Sequence, residues 1–272
     1  LSTTITFEFY LTHTALPSMS KGDLKDHLVA LPELNEQRAI AAFLDRETAR
    51  IDSLIEKKER LVSLLGEKWI ALVSEAVSRG LNKNVRMKDS GMEGLEKVPI
   101  HWECMALSRV TRSRCDGPFG SGLKADCYST AGVRVVRLQN IGWAEFLGSD
   151  EAYVDETYAA ELGDHSVLSG DLLIAGLGDE RHPVGRACVA PEAIMPAMVK
   201  ADCFRFRLNV SRILPRFAAY QLSATAEATS GDMATGATRS RMNLTATATR
   251  KVAFPSLAEQ ERIVAFLDGK SV

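Results

Sequence analysis

Arg137, Gln139 and Asn140 lie within four residues of one another, at the close of the apolar run Val133-Arg134-Val135-Val136-Arg137-Leu138. A guanidinium and two carboxamides are the groups that read base edges in a DNA groove, Arg favouring guanine and Asn or Gln favouring adenine. Taken singly, each weighs equally as a structural group, and so does Arg134 within the run. A second segment, Asp116-Gly117-Pro118-Phe119-Gly120-Ser121-Gly122-Leu123-Lys124, is a Gly-rich loop ending in a base. Its amides, with Ser121 and Lys124 beside them, suit a phosphate; a plain turn is the equal alternative. It is not a P-loop, since no G-x-x-x-x-G-K-[ST] pattern is present. Arg181-His182 sits at a Gly-rich turn, for which a surface loop is the bland reading. Arg239-Ser240-Arg241 follows Thr235-Gly236-Ala237-Thr238, a small-residue stretch that suits a DNA-facing loop.

Charge supports this selectively. The net charge of −2 argues against a protein that coats nucleic acid without regard to sequence. Its distribution is uneven: residues 105–143 carry +4, residues 144–180 carry −10 and residues 181–250 carry +6. Folding that joined the two basic blocks would leave the acidic segment elsewhere; charges scattered over a solvated surface are the alternative. Catalytic signatures are missing, with no G-x-S-x-G, H-E-x-x-H, kinase or Walker set. The five Cys are odd in number and none are spaced as C-x-x-C, which points to reduced thiols in a cytoplasmic protein and away from zinc. No apolar run approaches the ~20 residues of a membrane span. No cofactor is expected.

Positioning such groups requires a scaffold, and the chain repeats part of its own. Val29 to Asp45 reads against Val252 to Asp268 at a constant offset of 223, with 11 of 17 positions identical. That period exceeds the ~20–50 residues of solenoid units and matches a whole domain plus its connector. The chain starts without Met and stops just after the second copy, so both ends are expected to be cut from a longer protein.

The clearest element is a helix over residues 36–79. Leu44, Thr48, Ile51, Ile55, Lys58, Val62, Leu65, Trp69, Leu72 and Ala76 recur at steps of four and three, a heptad seam. Asn35 is expected as N-cap and Gly80 as the stop. About 44 residues would span roughly 65 Å, and so long a helix with so narrow a seam needs a partner helix. Lys58 is expected to snorkel out of that seam. Residues 1–31 are a fragment in which Thr3 to Phe9 suits either a strand or a helix end, and residues 81–101 read as a polar linker. Beyond it, residues 133–138, 167–175 and 203–208 read as strands and residues 213–224 as a helix, a mixed α/β domain.

The motif Pro32-x-Leu34-x-Glu36-Gln37-x-x-Ile40-x-x-Phe43-Leu44-Asp45-x-x-Thr48-x-x-Ile51-Asp52-x-Leu54-Ile55 resembles the conserved region of specificity subunits of type I restriction–modification systems. Leu64-Leu65-x-Glu67-Lys68 and Ala76-Val77-x-x-Gly80-Leu81 fit as well, and Met87 to Gly91 with Pro99-x-His101-Trp102-Glu103 resembles the entry to a target-recognition domain. Asp116 to Lys124, Arg137 to Gly142 and Gly170-Asp171-Leu172-Leu173 are similar to segments inside such domains. The resemblance implies a mixed α+β recognition domain joined to a long coiled-coil helix. Residues 1–31 would be the tail of a first recognition domain, 32–80 the spacer helix, 81–101 a linker, 102–254 a recognition domain and 255–272 the start of a second helix. Double-stranded DNA is the implied ligand. Methyltransferase subunits and a translocase–nuclease are the implied partners and would supply adenine methylation and cleavage; whether a half-length form pairs with itself is left open by the residues. Leu44, Ile51, Ile55, Val62, Leu65, Trp69 and Leu72 are the expected helix-pairing residues. In Glu36-Gln37 and Glu259-Gln260, helix-start electrostatics are favoured over a docking role.

Two other readings compete. One is the C-terminal recognition part of a fused restriction–methyltransferase enzyme, although the Asn-Pro-Pro-aromatic motif of amino-methyltransferases is absent. The other is a coiled-coil interaction protein with no DNA role, which would show no salt-dependent binding to duplex DNA.

Overall fold

The computed structural model describes residues 31–92, 94–119, 122–179, 182–231 and 240–270, with Gly22 and Lys25 before them. The stretch Thr3 to Phe9 lies outside the described residues. The chain divides into two compact units, Leu1–Leu64 and Leu65–Val272.

Helix α1 (Leu34–Arg79, 46 residues) is continuous, as its periodicity predicts. It starts earlier than expected. Gln37 N donates to Glu33 O at 2.9 Å, so Asn35 stands inside the first turn rather than at the N-cap. Gly80 ends the helix at φ 71°, a left-handed position that Gly takes without steric cost, and its N–H closes on Ala76 O. In the first unit the seam stands open: Leu44, Ile51, Ile55 and Val62 are 55, 56, 50 and 70% exposed. Lys58 is exposed beside them.

In the second unit the same helix changes character. Leu65 is exposed, Trp69 and Leu72 are half-buried, and Val73, Ala76 and Val77 are buried in the main core. The segment read as a linker contains a β-hairpin, β1 (Met87–Met92) on β2 (Leu95–Pro99). Leu95 and Val98 anchor it in the core. Its polar strands hid it, because besides those two side chains only Ser90 and Pro99 are buried among its described residues.

The domain beyond is built on two sheets. Strands β4 (Thr111–Cys115), β9 (Leu172–Ala175), β11 (Ala187–Val189) and β13 (Cys203–Leu208) form an antiparallel sheet in the order β11-β9-β13-β4. Strands β5 (Tyr128–Ser129), β6 (Val133–Val136), β7 (Tyr153–Val154), β8 (Ser166–Val167) and β12 (Ala197–Val199) form a mixed sheet in the order β5-β7-β6-β12-β8, with β6 and β12 parallel. Strand β3 (Glu103–Ala106) pairs with β15 (Lys251–Phe254), and β10 (Leu177–Gly178) with β14 (Ser240–Arg241).

Strand β13 shows why the core forms. Phe204 and Phe206 are wholly buried, with Leu172 and Ile174 of β9, in the cluster shared with helix α3 (Pro215–Ala224). Pro215 opens α3 at its first turn, where no N–H is needed. The alternate residue Arg205 is only 2% exposed and donates to Ser166 O and Ser113 Oγ, so both faces of the strand are covered.

Two helix starts share one device. Gln37 Nε2 donates to Pro32 O at 2.7 Å, and in α6 (Leu257–Asp268) Gln260 Nε2 donates to Pro255 O at 2.9 Å. Gln260 also accepts from Leu214 N and donates to Arg212 O, which makes its role structural. Glu259 accepts from the Trp102 indole at 3.2 Å and lies 2.9 Å from His101 Nε2.

Gln221 of α3 holds the end of α1. Its Nε2 reaches Val77 O at 2.8 Å and Ala253 O at 2.7 Å, while Ala253 N donates to its Oε1 at 2.8 Å. Val77 O belongs to the last turn, which has no intrahelical partner. Gln221→Leu keeps the volume and orphans these buried groups. It should cost about 2–5 kcal/mol, read as a lowered midpoint in thermal unfolding.

Candidate nucleic-acid interface

The Gly-rich loop after β4 is fixed at its root. Asp116 Oδ1 accepts from Gly117 N at 2.7 Å and from Asp202 N at 2.9 Å, and its backbone oxygen lies 2.6 Å from His165 Nδ1. Burial pushes the Asp116 carboxyl above its usual range, with the two amide N–H bonds opposing. Gly117 is required by space: a Cβ there would stand 2.2 Å from the carbonyl carbon of Lys200. Further along, Tyr158 OH donates to Gly122 O, and Phe119 stays 54% exposed.

Asp202 joins this loop to two others. Its φ is 62°, a conformation Asp tolerates. Its backbone oxygen accepts from Gly176 N at 2.7 Å, and its carboxylate holds Arg241 at 3.0 Å. Arg241 lies over the Phe119 ring at 5.8 Å and pairs across the β10–β14 ladder with Leu177. Residues 116–119, 177–178 and 240–241, within or beside segments singled out in the sequence, therefore meet at one place.

A fourth is tied in below. Leu138–Asn140 forms a short 3-10 turn after β6. Arg186 donates to Leu138 O and Ile141 O on that turn, and to Leu177 O, His182 O and Pro183 O on the loop beside it.

The candidate residues sort into distinct settings. Ser121, Arg181 and Arg239 lie outside the described residues. Lys124 and Gln139 are exposed. Arg137 is partly exposed and paired with Asp150. His182 is exposed with its ring 3.1 Å from Asp179, and Arg241 is exposed on Asp202. Two candidates face inward instead. Asn140 is wholly buried; its Nδ2 serves Leu147 O and Asp150 O and its Oδ1 accepts from Arg137 N, so it braces the turn. Arg134, 4% exposed, donates to Gly148 O, Asp150 O and the Tyr153 hydroxyl and pairs with Glu151 at 3.2 Å. Buried donors need such partners, and base edges outside the fold are out of their reach.

The acidic block is not set apart. Asp150, Glu151, Asp164 and Asp171 pair with Arg137, Arg134, Arg205 and Arg207. Of the two readings of the charge pattern, the separation of basic and acidic segments gives way, because buried and half-buried guanidiniums take nearby carboxylates. Sequence reasoning passed over Arg186 and Asp202. The signal for Arg186 was a single charge inside Val184-Gly185-Arg186-Ala187-Cys188-Val189-Ala190, an otherwise apolar run.

No family model matches the chain. The type I restriction enzyme MjaVIII specificity subunit of Methanocaldococcus jannaschii is 22% identical over 162 residues, 60% of this chain and 36% of that protein. The crystal structure of the HsdS subunit from Thermoanaerobacter tengcongensis matches 97% of this chain and 59% of its own, at 19% identity and a TM-score of 0.50. A chain from a structure on complex assembly and conformational transition of the type I R-M system matches 95% of this chain and 57% of its own, at 19% identity and a TM-score of 0.61. The chain thus spans about a third of that curated relative and under three fifths of those solved structures. In its sequence over 60% of its length, and in its mixed α/β fold with a long helix over nearly all of it, the chain resembles the specificity subunits of type I restriction enzymes.

Proposed function

We propose that the second unit reads DNA sequence, and that the chain serves as part of a specificity subunit in a type I restriction–modification complex. The observation that carries this is the meeting of four loops, with Lys124, Arg137, Gln139, His182 and Arg241 on them, on a fold like that of specificity subunits. Lys124 and the amides of the Gly-rich loop suit phosphate, which positions the protein without specifying sequence. Arg137, Gln139 and Arg241 suit base edges. This chain contributes recognition and no catalytic group; adenine methylation and cleavage belong to partner subunits. The exposed seam from Leu44 to Leu65 receives a second long helix and helps dock the methyltransferase subunits, with the translocase–nuclease joining that core. The complex works in the cytoplasm, and no helix among the described residues is long and apolar enough to cross a membrane.

Binding to a random-sequence duplex across a salt series tests the reading. Affinity should fall steeply with salt, and Lys124→Ala should reduce the log–log slope by about one, whereas Arg241→Ala should leave the slope on random sequence nearly unchanged. A slope unchanged in Lys124→Ala would move the phosphate contact elsewhere. Absence of any salt-dependent binding would leave the helical seam as the working surface and favour the interaction-protein reading.

A further inference from the structure

We infer that Arg186 is the positioning residue of the reading surface: one buried guanidinium that sets the 138–141 turn and the 177–183 loop in fixed register. The inference rests on the DNA-reading role proposed above and names the group on which that role depends.

Arg186 precedes β11 and is 5% exposed. Among the described residues its hydrogen bonds all end on backbone carbonyls, with no carboxylate among them: Nε to Ile141 O at 2.7 Å, Nη2 to Leu138 O at 3.0 Å, and Nη1 to Leu177 O, His182 O and Pro183 O at 3.2–3.3 Å. Burial lowers its pKa, with the charge of Asp179 opposing. A guanidinium without a bonded counter-ion is an expensive way to fill space, and an apolar side chain of similar volume would fill it at less cost. What an apolar side chain cannot do is bridge two loops about 40 residues apart in sequence through a planar fork.

The bridge is placed where reading would occur. The carbonyls of Leu138 and Ile141 bracket Gln139, and those of Leu177 and His182 bracket Asp179. The 240–241 segment hangs on the same anchor through the Leu177–Arg241 pairing. The two ends of the loop also approach closely: a Cβ on Gly178 would stand 2.3 Å from Val184 N. Reading several adjacent bases requires the contributing side chains to keep their relative positions within a fraction of an ångström. Arg186 provides that constraint from beneath without touching the DNA.

Two variants test this on the full chain. Arg186→Met removes every donor. Arg186→Lys keeps the charge but concentrates three donors at one point, so it cannot span both loops. If the Met variant does not fold, the Lys variant carries the test. Duplexes are selected from a randomised pool at a temperature well below each protein's unfolding, and hydrogen exchange is followed by mass spectrometry. The wild type should enrich a defined motif. Arg186→Lys should keep its secondary structure and salt slope, yet lose about tenfold or more in discrimination between that motif and its single-base variants, the size of one lost base contact. Amides in both loops should exchange faster together, while β9 and β13 stay protected. A lowered unfolding midpoint with wild-type discrimination would reduce Arg186 to a merely structural residue and overturn the inference. So would faster exchange in only one of the loops. If the wild type enriches no motif, the DNA-reading role falls instead, and the exchange data alone decide whether Arg186 couples the loops.

Discussion

Replacing Ile55 with Asp should leave the unfolding midpoint of the second unit unchanged and abolish capture of a cognate methyltransferase subunit. Ile55 is 50% exposed on α1, within the first unit, and is no member of the main core. An exposed helical substitution away from any core normally shifts stability by no more than ~0.5 kcal/mol. The outcome changes if a partner helix covers the seam, as proposed. The change then forfeits roughly 1.5–3 kcal/mol of apolar burial and forces a carboxylate to desolvate at a cost of several more. Together these weaken assembly by over about a hundredfold. Circular dichroism with a pull-down measures both halves, and undiminished capture by a folded mutant would remove the seam from the interface.

Gly117→Ala should have the opposite signature, harming DNA binding while sparing assembly. The added carbon would stand 2.2 Å from the Lys200 carbonyl carbon and 2.3 Å from Val199 O, both backbone atoms that cannot swing aside. The loop must lift, and Asp116 then loses its hold on Gly117 N and Asp202 N. Overpacking of this kind costs about 1–3 kcal/mol, or roughly 2–10 °C in midpoint for a domain of this size. Because Asp202 also holds Arg241, the displacement should spread to the 240–241 segment. Scanning calorimetry and duplex titration on the same preparation check the pair of effects. A variant with wild-type stability and affinity would show that the close approach of Gly117 to Lys200 is not maintained in solution.

Long periodic segments were legible in the sequence. Helix α1, strand β13 and helix α3 each carry enough apolar repeats to fix their type, and Gly80 and Pro215 mark ends through backbone chemistry alone. The two-residue strands β5, β7, β8, β10 and β14 carry no period at all, since two residues cannot display one. Side-chain chemistry misled where burial overrode type. Arg134 and Asn140 are the residue types that read bases, yet the mixed sheet and the 147–150 segment enclose them. Local reading found each loop separately but not their meeting, which depends on Asp202, 86 residues from Asp116, and on Arg186, 48 residues from the Leu138 carbonyl it holds.

Under the DNA-reading role proposed above, the pairing of Arg137 with Asp150, His182 with Asp179 and Arg241 with Asp202 has a consequence for search. A sequence reader must leave ~10⁶–10⁹ wrong sites quickly to find the right one. Fingers already clasped by their own carboxylates give little grip to an arbitrary phosphate, because the first gain on contact is spent loosening an internal partner. Only a site offering base edges as well as backbone would complete the exchange. In that role, the same ion pairs that hold the loops would shorten residence on wrong sequence, so speed of release would be built into the resting surface.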